Sequence, residues 1–370
     1  MSRTKPPKIL FWCIFLVLCG LGFGCTSTHK IIVLPYDNYS AKPTDHWLRD
    51  GFSESMNDHL QYVKKLEVLP REDINEICKN LDLSPYVHFD EEKAAKIGRK
   101  LRARYVIIGR FRRSNDSLIV FSRIVNSYKK RIEHQFRLRT EAPKNYRFFS
   151  QVLGISEYTA YALGGSGEIR QIMEPASRRT KSFKAFEYYI NGRLASFQGR
   201  TEDYRVAINW YRQAINADYS YALAYGAIAD VYTEWGFLLK QRNRAYHEEY
   251  RKAHQNLKDA LKYDPKLPAF HIGRARRYLE ADIHYVVGDT HLRNQNYEAA
   301  IAAFRKNLDL TPNDSLTLFG MGEAYLGMGD VQRSRHYYTS ALEYNPALVK
   351  AIDRLEELTS VPEKKIDYDK

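Results

Sequence analysis

The chain has 370 residues, enough for two or three domains that each bury a core. Apolar residues make up 44% and charged residues 27%, ordinary values that exclude a wholly disordered or fibrous chain. The formal net charge of +13 favours anionic surfaces or partners; of the four cysteines, two lie in the apolar run near the start, and no disulfide framework is expected.

Residues 1 to 8 are basic and polar, and "ILFWCIFLVLCGLGF", residues 9 to 23, is apolar. A helix needs about 20 apolar residues to span a bilayer, so this run fits a secretory signal better than a free-standing span. Gly20, Gly22 and Gly24 loosen its end, as a peptidase needs an extended substrate. Gly24-Cys25 resembles a bacterial lipobox, in which a small residue precedes a cysteine that becomes lipidated. Such boxes usually carry Leu three positions before the cysteine; here Gly22 holds that place and Leu21 lies one step further out. The reading is a lipoprotein signal peptide over 1–24 with Cys25 as the lipid attachment point; the alternative is an uncleaved anchor. Thr26 rather than Asp after the cysteine favours, by the sorting rule for such lipoproteins, the outer membrane with the chain facing the periplasm. Processing removes Arg3, Lys5 and Lys8 and leaves the rest of the chain basic. Cys13 and Cys19 lie in the leader, so Cys78 has no disulfide partner. Beside Ile74, Ile77 and Leu81 at helical spacing, it reads as a small buried apolar side chain.

The first domain spans 25–163. "KIIVLPYDN" reads as a buried strand, followed by a helix through Trp47, Leu48, Phe52, Met56 and Leu60. "KLEVLP" is a second strand. "REDINEICKNL" and "DEEKAAKIGRKL" are helices, the second opened by Asp90 with Glu91 and Glu92 in its first turn, favourable against the helix dipole. Three strands follow, "RYVIIGRFRR", "SLIVFSRIVN" and "RIEHQFRLR", and residues 144 to 163 close the domain as a helix. The order β-α-β-α-α-β-β-β-α implies a mixed sheet with helices packed on it. The blocks "IIVLPYDNYS", "LRDGFSESMNDHL", "LEVLPRE" and "AAKIGRKLRARYVIIGRFRRSNDSLIVFSRIVN" resemble the TolB amino-terminal-domain-like module. "AAKIGRKLRARYVIIG" is also similar to the CsgG-type curli secretion lipoproteins. The resemblance implies a module for assembly or interaction and carries over no catalytic residue.

Between residues 99 and 139, thirteen Lys and Arg stand against two acids, Asp116 and Glu133. Strand alternation places Val106, Ile108, Arg110 and Arg112 on one face and Tyr105, Ile107 and Phe111 on the other. On the last strand it places Ile132, His134, Phe136 and Leu138 on one face, and Glu133, Gln135, Arg137 and Arg139 on the opposite one. Arg110, Arg112, Arg123, Arg137 and Arg139 are thus candidates for an open basic face. Such a face is either merely solvated or a site for an anionic envelope component: phospholipid headgroups, acidic glycan or acidic protein. Nucleic acid is not expected, since the leader argues for export and no RNA-binding aromatic-basic signature is present.

Residues 164–181 read as a linker rich in Gly, Ser and Pro, and its "GGSG" lacks the surroundings of a phosphate loop. From 182 to 360 the chain repeats. Ala300, Phe304 and Pro312, then Ser334, Tyr338, Ala341 and Pro346, recur at 34-residue spacing, with Leu318, Met321, Gly322 and Tyr325 between them. Ala253, Leu257, Ala260 and Pro265, and Ala207, Tyr211 and Ala214, fit the same template. The pattern resembles tetratricopeptide repeats, in which small residues let paired helices approach and Pro ends the second helix. Inserts near 236 to 248 and 270 to 282 lengthen helices or add a turn. "PALVKAIDRLEEL" looks like a solvating end helix, and 361–370 is a charged tail.

Such repeats imply an all-α solenoid with a groove lined by the first helix of each pair. By repeat position, Tyr285, Asp289, Arg293, Phe319 and Glu323 are expected there as partner-binding residues; alternatively they are only exposed side chains. The Lys and Asn pattern of carboxylate-clamp repeats is absent. His247 and His254 miss the HExxH spacing because Arg251 stands in the second His position, and His284 and His291 lack further ligands. No nucleophile or dinucleotide motif appears, so no catalytic residue, metal or cofactor is expected. The expected fold is α+β: an α/β sandwich-like module with a mixed sheet, then an all-α tetratricopeptide solenoid. The expected function is a non-catalytic, membrane-anchored scaffold that binds protein partners through the groove. Two alternatives are an accessory or sensory subunit of an inner-membrane secretion or signalling system, and an enzyme with an interdomain site.

Overall fold

The computed structural model describes residues 28–40, 45–83, 87–114, 117–141, 145–165, 180, 182–196, 200–267 and 269–360. The expected leader with Cys25, most of the expected linker over 164–181 and the expected tail over 361–370 lie outside them. The chain divides into two units, Met1–Ser177 and Arg178–Lys370.

In the first unit the elements run β1 (His29–Val33), β2 (Asp37–Asn38), α1 (Leu48–Leu60), β3 (Leu66–Val68), α2 (Arg71–Asn80), α3 (Glu91–Lys100), β4 (Tyr105–Arg113), β5 (Ser117–Asn126), β6 (Arg131–Glu141) and α4 (Asn145–Ala162). This is the expected order with the short β2 added. The strands form one mixed sheet in the order β3-β1-β4-β5-β6, with β2 also on β4. β1 runs parallel to β3 and β4, whereas β4, β5 and β6 form an antiparallel meander. The parallel pairs need helical crossovers, supplied by α1 and by α2–α3; the meander needs only tight turns.

Helices cover both faces. On one, Phe52 of α1 packs on Phe111 of β4 at 5.2 Å and Phe148 of α4 at 5.1 Å. Tyr36 lies against Phe52, and its hydroxyl shares a 2.8 Å hydrogen bond with Ser122 Oγ. That ring forces glycine at 109, where a Cβ would lie 2.1 Å from it. On the other face α2 and α3 bury Ile74, Ala94, Ala95 and Ile97 against Ile32, Leu34, Val106 and Ile108. Asp90 caps α3 by accepting from Lys93 N at 2.8 Å. Cys78 packs against this core as expected, and burial pushes its thiol up.

One face assignment changes. A bulge at Ile124/Val125 pairs Ile124 with His134 but Val125 with Ile132, so Glu133 is the extra residue. Ile132 therefore joins the core under α2 and α3 rather than sharing a face with His134, Phe136 and Leu138. Strict alternation along β6 misses this because an inserted residue reverses the side-chain parity below it.

The second unit is helical: α5 (Phe183–Ser196), α6 (Thr201–Ala217), α7 (Ala222–Gln241), α8 (His247–Tyr263), α9 (Ala269–Arg293), α10 (Tyr297–Leu310), α11 (Ser315–Gly327), α12 (Val331–Tyr344) and α13 (Val349–Ser360). Consecutive helices pair through a small residue facing a ring. A Cβ at Gly192, Gly288 or Gly322 would meet Tyr211, Phe304 or Tyr338 at 2.5, 2.4 and 2.4 Å. The inserts lengthen helices: α7 has 20 residues and α9 has 25, against 13 in α11. The extra length of α7 carries Lys240 to Asp314 at the start of α11, a 2.8 Å ion pair, with Asp282 of α9 at 3.4 Å.

Candidate functional site

Two sets of side chains were expected to form sites. The first is on the sheet. In register, Arg110 of β4 stands beside Phe121 of β5, which stands beside Arg137 of β6. The next row in one direction is Arg112, Ile119 and Arg139; in the other it is Ile108, Arg123 and Gln135. All five predicted arginines thus share one face, the face that α2 and α3 cover at Ile108 and leave open beyond it. Arg110, Arg112, Arg137 and Arg139 are exposed and Arg123 is half-buried.

The guanidinium carbons of Arg110 and Arg137 lie 4.9 and 5.1 Å from the Phe121 ring centre, one on each neighbouring strand. Arg110 also lies 5.7 Å from the Tyr39 ring. These contacts hold the two cations over apolar surface without neutralising them. A cavity of about 430 Å³ opens here, lined by Arg110, Phe121, Ser122, Arg123, Gln135, Phe136 and Arg137. Arg123, which lines it, forms an ion pair with Glu91 of α3, and Asp37 of β2, opposite Arg110 in register, shares a hydrogen bond with His88. Burial pushes the Asp37 carboxyl up while His88 pulls it back. Among the described residues, no carboxylate forms an ion pair with Arg110, Arg112, Arg137 or Arg139. Among the described residues, the face therefore presents positive charge without a paired carboxylate around the Phe121 ring.

The second set is in the helical unit, and the structure divides it. Asp289 and Arg293 of α9 remain at the surface as a 2.8 Å pair one turn apart. Tyr285 is half-buried, with its ring 6.2 Å from Phe304 and Lys240 Nζ 3.7 Å from its centre. Phe319 of α11 leans on Tyr338 at 5.5 Å. The Glu323 carboxylate accepts from the Tyr338 hydroxyl at 2.5 Å and from Arg354 of α13 at 2.8 and 3.0 Å. Tyr285, Phe319 and Glu323 thus serve helix packing, and only Asp289 and Arg293 offer charged groups outward.

Sequence reasoning missed a polar cluster between α7 and α9. Asp230 accepts from Ala275 N at 2.9 Å, and Glu234 accepts from Arg274 Nη1 at 2.9 Å. Burial raises the Asp230 carboxyl to about 7 despite the nearby charges of Arg274 and Arg193. An acid inside the apolar stretch "ALAYGAIADVY" is the signal that could have found it. Lys240 was missed likewise; it is 1% exposed, and burial pushes its neighbour Asp282 up against the pull of the lysine.

Among the described residues, no three or more His, Cys, Asp or Glu converge as a metal site, and no helix is long and apolar enough to cross a membrane. Residues 242–315 and 317–348 match the tetratricopeptide repeat family. No curated protein sequence matches the chain. Among solved structures, the C-terminal domain of LpoB from Salmonella enterica is similar at 16% identity, covering 32% of this chain and 86% of that one, with a TM-score of 0.28. Lipoprotein GNA1162 from Neisseria meningitidis is 13% identical over 36% of this chain and 96% of its own, with a TM-score of 0.28. A thermophilic tetratricopeptide repeat protein of Thermus thermophilus, TTC0263, is 18% identical over 59% of this chain and 98% of its own, with a TM-score of 0.21. All three TM-scores are low, and none of these likenesses says what the chain binds.

Proposed function

We propose that this chain is a non-catalytic, lipid-anchored scaffold of the bacterial cell envelope, facing the periplasm from the outer membrane. The tetratricopeptide repeats over 242–348 carry this reading, because such repeats are stacked helix pairs whose exposed surfaces bind proteins. The sequence of the first 25 residues supplies the anchor at Cys25. The groove residues Tyr285, Asp289, Arg293, Phe319 and Glu323 form the protein-binding face, with Asp289 and Arg293 making polar contacts and the others setting its shape. The arginine face of the first unit meets an anionic envelope component.

Crosslinking and pull-down from membranes tests the groove. Arg293→Glu reverses an exposed charge without touching the helix packing. Loss of a crosslinked partner is the expected result; an unchanged partner set rejects the groove assignment. Labelling cells with a radioactive fatty acid tests the anchor. Label that is absent, or that survives Cys25→Ser, rejects it.

A further inference from the structure

The arginine face ends at an open strand edge. β6 is the last strand of the sheet, and among the described residues no strand pairs with its outer side. An unpaired edge offers a row of backbone N–H and C=O groups to another chain. Along β6, Gln135, Arg137 and Arg139 point to the open face and are exposed.

We infer that this edge and its arginine face receive an extended acidic segment of a partner protein, added to the sheet beside β6. The inference rests on the reading of the basic face as a site for an anionic partner. Two observations select a peptide strand over a lipid surface. First, these four arginines stand in cross-strand rows two residues apart, Arg110 with Arg137 and Arg112 with Arg139. That step, about 7 Å, is the step between same-face side chains of an extended peptide. Second, Arg110 and Arg137 close on Phe121 within a cavity, whereas a bilayer surface calls for cations on an outer plane. Carboxylates at alternate positions of the added strand come to lie beside Arg137 and Arg139. A long side chain among them reaches the cavity.

Fluorescence anisotropy with the full chain in a neutral detergent tests this. The probe is a fluorescein-labelled eight-residue peptide of alternating Asp and Thr. Two further peptides carry backbone N-methyl groups, one at the odd and one at the even positions. Only one edge of an added strand faces β6, so one methylated peptide should lose at least tenfold in affinity while the other binds like the parent. Arg137→Glu with Arg139→Glu should weaken the parent peptide at least tenfold. Equal binding of all three peptides overturns strand addition, and it does so without any protein variant. Calorimetry with inorganic phosphate and glycerol 3-phosphate, against wild type and Arg110→Glu/Arg137→Glu, separates the two levels of the argument. If these anions bind through the arginines and the peptide does not, strand addition fails and the anionic face stands. If no anion binds, both fail.

Discussion

Lys240 and Asp314 meet in a 2.8 Å ion pair although 74 positions of chain separate them, and their side chains are 1% and 2% exposed. Asp282 lies 3.4 Å from the same ammonium, and the Tyr285 ring lies 3.7 Å below it. Beside them, Gln241 Nε2 donates to Asn313 O at 2.7 Å, and Ser315 N donates to Gln241 Oε1 at 3.1 Å. Repeat arrays are usually held by contacts between adjacent units alone. Here the end of α7 reaches past α9 to the start of α11 and ties three helices at one point.

Removing the lysine alone should therefore be costly. Lys240→Met leaves the buried Asp314 and the partly buried Asp282 without their cation, a change worth about 3–5 kcal/mol in comparable buried pairs. Urea unfolding followed by circular dichroism should show that loss in the helical unit. Adding Asp282→Asn and Asp314→Asn to Lys240→Met should recover much of it. A loss under ~1 kcal/mol for the single variant would mean that water relieves the cluster.

The Asp230 carboxyl predicts a pH dependence of unusual sign for an acid. Its folded value is raised from 3.8 to about 7 by burial. Between those values the folded chain holds the proton and the unfolded chain has lost it. Stability from this group is therefore greatest at the acid end and declines as pH rises through the window, by up to ~4 kcal/mol. Urea midpoints from about pH 4.5 to 7.5 should fall with a slope that Asp230→Asn flattens. At the alkaline end of that range the Asn variant should be the more stable protein. Parallel slopes for the two proteins would show that Asp230 is solvated.

Gly109 makes a sharper steric prediction. A Cβ there meets the buried Tyr36 ring at 2.1 Å, and that ring is fixed by Phe52 and Ser122. Gly109→Ala should destabilise the first unit by roughly 1–3 kcal/mol, the usual range for overpacking. Gly154→Ala is the control, because the nearest atom to its Cβ is 3.9 Å away on a Leu138 methyl. Near-ultraviolet circular dichroism and thermal melts should separate the two variants.

The sheet was largely legible in the sequence because its strands are apolar runs between turn residues. The arginine face was legible because side-chain alternation is independent of what lies next door. Arg110, Phe121 and Arg137 needed only the right register to come together, and the antiparallel meander supplies it. Ile132 was not legible, since nothing in the β6 sequence marks Glu133 as the extra residue of a bulge. The repeats were legible through their small and aromatic positions, yet the roles of Glu323 and Lys240 were not. Repeat position says which way a side chain points from its own helix. It does not say that α13 delivers Arg354 to Glu323, or that a lengthened α7 delivers Lys240 to Asp314.

The Glu323–Arg354 pair gives the last prediction, because it decides whether Glu323 is available to a partner. The carboxylate accepts from Arg354 Nε at 2.8 Å, from its Nη2 at 3.0 Å and from the Tyr338 hydroxyl at 2.5 Å. Arg354 also binds Glu357 one turn later, at 2.8 Å. A bidentate contact of this kind fixes α13 on the preceding helix pair and covers Leu348 and Ala351, which are 2% and 0% exposed. Glu323→Gln keeps the shape but removes the charge, and should loosen α13 by about 1–3 kcal/mol. Hydrogen exchange should then speed up across Val349–Ser360 and remain unchanged in α9 and α10. If exchange in α13 is unaffected while partner crosslinking is lost, Glu323 acts on the partner directly. If α13 loosens and the partner is retained, its role is to hold α13 on α11 and α12.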